Sequence, residues 1–248
     1  MLKVSVIGSG NVGFHFINLF HNSEKIQLCE WYSRNLKFDK RVTVINDISI
    51  LSESDIYIIC VNDDSISKIS DRLKFRNRLV VHTSGSNSYK KINIKNRRGV
   101  FYPLQTFSKT RNLNYSEIPF CIEAEKNADR NLLINLTKRI GCKCYEIDFN
   151  QRKTLHLAAV ITNNFTNFLF ILAKELLNNK NLDFEILKPL IKETVNKIHK
   201  LEPEKAQTGP AKRKDFNTIN MHLKMLDEDK TRELYKIISE MITSKYEN

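Results

Sequence analysis

Only seven glycines occur in 248 residues, and three of them stand together in Gly8-Ser9-Gly10-Asn11-Val12-Gly13. Their setting constrains the fold more than any other feature. Lys3–Ile7 before them is a short β-branched run, and Val12–Phe20 after them is amphipathic at helical spacing. Strand, glycine turn and helix in that order open a βαβ unit of the kind that cradles a dinucleotide. Gly8 permits the tight turn, Gly10 lets backbone approach a pyrophosphate, and Gly13 lets the helix close on the strand. The first amides of the new helix then face the phosphates, so Gly8, Ser9, Gly10, Asn11, Val12 and Gly13 are candidate cofactor-binding positions.

The next strand, Ile26–Tyr32, ends in Tyr32-Ser33-Arg34-Asn35. An NAD site normally carries Asp or Glu there for the ribose 2′-hydroxyl. Ser33 offers a hydrogen bond instead, and Arg34 can grip a 2′-phosphate with its forked guanidinium, which favours NADP(H). Glu30 lies too far inside the strand for the ribose. Two later strand ends belong over the same cofactor. Val61-Asn62 follows the most apolar strand, and Ser84-Gly85 follows the one after it. Asp63-Asp64 is equally readable as part of that site or as a helix cap.

Short apolar runs continue the pattern to Phe149: Val42–Ile45, Asp55–Val61, Leu79–His82, Gly99–Tyr102, Pro119–Ala124 and Lys143–Ile147, with a helix over Asn127–Ile140. The alternation predicts an α/β, Rossmann-like, mainly parallel sheet over residues 1–149. An all-α helical domain follows over 150–248, for substrate binding and dimerisation. Its first helix, Gln151–Leu177, is apolar on so many faces that burial all round is expected. Further helices are expected over Phe184–Leu201 and near Leu234–Tyr246, separated by a loop at Pro203–Asp215.

No uninterrupted apolar run reaches the ~20 residues of a membrane helix, and no leader precedes the first strand, so a cytoplasmic protein with no membrane partner is expected. The five cysteines are scattered and lack zinc spacing, which points to reduced thiols and no metal. The formal charge is +12, and eleven Lys and Arg stand from Arg72 through Ser116 without one acidic residue. No nucleic-acid recognition motif accompanies that field, so it reads as solvated surface or phosphate steering.

On the long helix, His156, Asn163, Asn164 and Asn167 are polar groups in apolar company, and each needs a partner. They are either inter-helix hydrogen bonds or the lining of a cleft, with His156 as proton donor and Asn164 orienting a substrate. Thr208-Gly209-Pro210-Ala211-Lys212-Arg213-Lys214-Asp215 is either turn and cap or a loop whose Arg213 clamps an anionic group.

These residues carry a resemblance. The chain resembles a two-domain family of predicted NADP-dependent oxidoreductases, Rossmann-like at the N-terminus and ending in a helical domain of unknown function (domain of unknown function 2520). The likeness rests on Gly8–Gly13, His82-Thr83-Ser84-Gly85, Tyr102-Pro103-Leu104-Gln105-Thr106-Phe107, His156-Leu157-Ala158-Ala159-Val160 with Asn164-Phe165, and Thr208-Gly209-Pro210 with Arg213 and Asp215. More distantly the layout is similar to pyrroline-5-carboxylate reductase and to the 6-phosphogluconate and hydroxyisobutyrate dehydrogenases. The lysine–asparagine pair of those dehydrogenases does not carry over, because Leu157 stands four places after Lys153. The expectation is an NADPH-dependent reductase of a small carbonyl or imine, bound between the two domains, with His156, Asn164 and Arg213 as its catalytic set. An anionic group on the substrate is expected, and the helical domains are expected to pair in a homodimer. The alternative is an NADP-binding regulatory or sensor protein without turnover.

Overall fold

A computed structural model describes residues 1–35 and 38–247. Contacts divide the chain into two compact units, Met1–Asn164 and Phe165–Asn248.

In the first unit all eight expected strands form one sheet of order β3-β2-β1-β4-β5-β6-β7-β8. They are β1 (Leu2–Ile7), β2 (Ile26–Tyr32), β3 (Thr43–Ile45), β4 (Ile56–Ile59), β5 (Leu79–His82), β6 (Arg97–Pro103), β7 (Pro119–Ala124) and β8 (Lys143–Glu146). Strands β1 to β6 run parallel, β7 pairs antiparallel with β6, and β8 follows β7 in parallel. The result is an α/β, Rossmann-like sheet.

Alternation along each strand feeds two cores. Ile56 and Ile58 of β4 join Val4, Val6, Phe101 and Phe120 under helices α1 (Asn11–His21) and α3 (Asn127–Arg139). Tyr57 and Ile59 point the other way, with Ile7, Tyr32, Val80 and Ile66 of α2 (Ile66–Arg72). Both faces are therefore dry, which is why the strand reads as an unbroken apolar run. Because β1 lies between β2 and β4, the chain reverses direction across the sheet there. Its carboxyl end marks the crevice where such sheets take ligands.

Helix α4 (Phe149–Ala159) starts from a capping box. The Asp148 carboxylate accepts from the Gln151 amide, and the Gln151 side chain accepts from the Asp148 amide, both at 2.9 Å. The helix then passes through a π-helical turn, Val160–Phe165, into α5 (Thr166–Asn178). The single regular helix expected from apolar periodicity is thus broken by one wide turn. Apolar periodicity alone carries no signal for such a turn.

The second unit comprises α5, α6 (Lys188–Ile198), α7 (Pro203–Ala206), α8 (Phe216–Met225) and α9 (Asp229–Lys245). Within it Leu172, Leu176, Pro210, Leu234 and Ile238 help line an apolar cavity of about 320 Å³. The expected burial of the long helix on all sides does not hold for the single chain. Phe165 is 58% exposed, Phe168 52% and Ile171 45%. One chain offers too few neighbouring helices to cover so many apolar faces. Within the 30-residue helical run Phe149–Asn178, an 18-residue stretch of mean hydropathy 1.4 also meets the measure of a membrane-crossing helix by length and composition. The polar residues at 162–164 and 167 lower that average less than the sequence reading supposed.

Candidate active site

The glycine turn has the shape its spacing requires. Gly8 adopts φ +116°, and a Cβ there would lie 2.3 Å from the Cys60 carbonyl oxygen. A Cβ on Gly13 would lie 2.1 Å from the carbonyl oxygen of Gly8, so only glycine lets α1 begin this close to β1. The Trp31 indole N–H donates to that same carbonyl at 2.9 Å and fixes the turn from β2. Gly10 differs: nothing lies within 4 Å of where its Cβ would be, which leaves room for a phosphate against bare backbone. It caps α1 without a side chain, and no acidic residue stands in the first turn. These amides and this open space fit a dinucleotide pyrophosphate. Asn11 donates to the Phe107 carbonyl at 2.8 Å, and Val12 packs on the core beneath.

At the end of β2, buried Ser33 donates to Ser9 at 2.8 Å, tying that strand end to the glycine turn. Arg34 beside it is exposed. Glu30 is engaged elsewhere, accepting from the Ser52 amide and hydroxyl, each at 2.7 Å. It is not free to bind a ribose.

The loops after β4 and β5 are latched together. Asp63, two residues beyond Val61, accepts from Ser84 at 2.9 Å and from Ser86 at 2.6 Å. Asp63 is not a helix N-cap here; it braces the loop that carries Gly85. Behind it His82 is fully buried. Its Nδ1 accepts from the Ser84 amide at 3.2 Å, so Nε2 carries the hydrogen, facing the Ser88 carbonyl at 3.1 Å. Burial pushes its pKa down to about 4. The unfolded chain binds that proton near the usual 6.5, so His82 contributes stability that is complete above pH 6.5 and lost as pH falls toward 4. The loss amounts to about 3 kcal/mol. Urea midpoints at pH 7 and pH 4.5 should show it, and His82→Asn should shrink the difference. An unchanged difference would count against this account.

Gly85 has no room for a side chain for a reason outside its own loop. A Cβ there would lie 2.7 Å from His156 Nδ1 and 2.8 Å from Tyr102 Cζ. His156, on α4, and Tyr102, on β6, meet over this glycine, with the phenol oxygen 3.2 Å from Nδ1. Burial raises the phenol pKa to about 12, so it stays protonated at neutral pH. Both rings line a cavity of about 550 Å³ with Gln105, Thr106, Thr162, Asn163 and Asn164. An extra residue in the π turn means about eight positions, not seven, separate residues on one face. That brings Asn164, rather than Asn163, into line with His156. Arg213 lies in the second unit, exposed on the turn after Gly209. Asp215 caps α8 there, accepting from Thr218.

Three residues of this site carried no clear sign in the sequence. Tyr102 stood in a noticed motif but had no assigned role, and Asp63 was equally readable as part of the site or as a cap. Arg152 was assigned no role in the sequence, yet its side chain is fully buried, donating to the Asn87 carbonyl at 2.6 Å and paired with Glu123. Asn87 in turn donates to Ser84 at 3.1 Å, so α4 and the Gly85 loop share one polar network.

The likeness to known structures spans nearly the whole chain. A Bacteroides fragilis protein provisionally named an NADP oxidoreductase is 35% identical over 98% of both chains, with a TM-score of 0.88. The pyrroline carboxylate reductase of Plasmodium falciparum, with NADP bound, shares the fold at 16% identity and a TM-score of 0.60, over 98% of both chains. The imine reductase of Myxococcus stipitatus, in complex with NADP+, does so at 13% and 0.60, over 98% of this chain and 92% of its own. No curated protein matches the sequence. Residues 118–242 match the family model described as Domain of unknown function (DUF2520). With half of its length inside that model and a relative 35% identical end to end, this chain belongs to the DUF2520 family.

Proposed function

We propose that the chain is an NADPH-dependent reductase of a small carbonyl or imine compound, bound in the His156 cavity. One observation carries the reading. His156 packs on Gly85, at the carboxyl end of the same parallel sheet whose β1 end forms the glycine turn. When bound, NADPH supplies a hydride to the substrate carbon. The chain's part is the proton: the imidazolium form of His156 gives its Nε2 hydrogen to the substrate nitrogen or oxygen, and the ring is left neutral. Asn164, on the same helix face, orients the polar group being reduced. The expectation that Arg213 holds an anionic group carries over as part of the proposal. Names of the relatives support this choice of chemistry, since they include an NADP oxidoreductase and an imine reductase. Oxidation of NADPH against a panel of carbonyl and imine compounds tests it. Tight NADPH binding with no turnover on any of them would favour the regulatory reading.

Cofactor choice is testable separately. Arg34→Glu should weaken NADPH binding by roughly 1–3 kcal/mol, through a lost charge-assisted contact and added repulsion. NADH, lacking the 2′-phosphate, should change much less. Titrations by cofactor fluorescence decide the matter, and equal losses for both would sink the role of Arg34.

Assembly belongs to the same proposal. Apolar side chains exposed along α4 to α6, such as Phe168, Ile186 (64%) and Leu190 (63%), exceed what a solitary chain normally leaves in water. A homodimer through the helical units would cover them. Sedimentation at micromolar concentration should give twice 29.0 kDa, and a purely monomeric species would refute it.

A further inference from the structure

We propose that the Tyr102 phenol oxygen accepts the Nδ1–H of His156, leaving Nε2 as the ring atom that exchanges a proton with a substrate in the cavity. The inference rests on the reading of His156 as proton donor. For Nε2 to release a proton and leave a neutral imidazole, Nδ1 must keep its own hydrogen, and that hydrogen needs an acceptor. The phenol oxygen, 3.2 Å from Nδ1, is the acceptor present. A phenol has one hydrogen and two lone pairs. Accepting from Nδ1 leaves its own O–H for the cavity, which Tyr102 lines. Gly85 holds the arrangement from the other side: any side chain there would strike both rings, at 2.7 and 2.8 Å. The two rings meet edge to face, 6.1 Å between centroids, so the imidazole cannot turn over without losing the bond. Tyr102 is thereby a positioning residue that acts through His156.

The same domain holds the opposite case. The Ser84 amide can only donate, so its bond to His82 Nδ1 fixes that ring with hydrogen on Nε2. Nitrogen NMR of the full-length protein labelled at histidine distinguishes the two forms without any turnover. Resonances of His156 are identified by their loss in His156→Gln. At alkaline pH, His156 should appear as the Nδ1–H tautomer, against the preference of free histidine, and His82 as Nε2–H. Tyr102→Phe should return His156 mainly to Nε2–H while His82 stays unchanged. An Nε2–H His156 in the unaltered protein, or a tautomer indifferent to Tyr102→Phe, overturns the proposal. If Tyr102→Phe does not fold, the unaltered spectrum decides alone. An Nδ1–H His156 in a protein that reduces no compound of the panel would leave the hydrogen bond standing and remove the reductase reading. Turnover that depends on an Nε2–H His156 would do the reverse.

Discussion

His156→Gln is expected to lower turnover by roughly 10²–10⁴-fold, the range for removing a positioned proton donor. Glutamine approximates the reach of the imidazole and can still hydrogen-bond Tyr102, but it cannot carry a transferable proton. The loss should fall on kcat. NADPH affinity should hold within about twofold, because the proposed phosphate site is the backbone at Gly8–Gly13 and not the ring. The measurement is steady-state kinetics on the first compound of the panel to be reduced, with cofactor affinity followed by fluorescence. A variant turning over within about threefold of the parent would remove His156 from the chemistry. It would then be a ring packed over Gly85 and nothing more.

The second large effect is on stability. Arg152→Met should cost about 3 kcal/mol. The guanidinium is fully buried, and its partner Glu123 is only 16% exposed, so removing the cation strands a largely desolvated carboxylate. The bond to the Asn87 carbonyl is lost as well. Adding Glu123→Gln should recover part of the loss, since what is most costly is the unpaired charge rather than the missing attraction. Urea unfolding of the three variants checks this, and a loss under about 1 kcal/mol for Arg152→Met would contradict it. Because Asn87 also holds Ser84, Arg152→Met should loosen the Gly85 loop before the sheet unfolds.

How far the sequence carried the reading follows from the range of the forces involved. Strands such as Ile56–Ile59 are legible because burial on both faces writes a continuous apolar run. The glycine turn is legible because three backbone requirements fall within six residues. The pairing of Tyr102 with His156 is not, since 54 residues separate them and the only trace is a glycine, Gly85, whose bareness has its cause on another element. Arg152 escaped for a similar reason: a buried arginine and a surface one look alike until Glu123 is brought beside it by the β6–β7 reversal. The π turn escaped because a helix with one residue too many still shows apolar residues every three or four places. The helical faces after residue 165 were consequently counted one position out of step.

That surplus residue sets a rule for anyone recombining this chain with its relatives. A regular helix turns by about 100° per residue, so a junction made between His156 and α5 must keep both the surplus residue and the wide turn of Val160–Phe165, or neither. Removing one residue within the turn would restore an ordinary helix, in which seven positions again separate residues on one face and Asn164 stays in line with His156. Removing one between His156 and Val160 would leave the wide turn in place and rotate the downstream residues by about a quarter turn, and Asn164 would leave that line. Splicing should therefore be done before Asp148, where the capping box resets the helix afresh, or beyond Asn178, where α5 has ended.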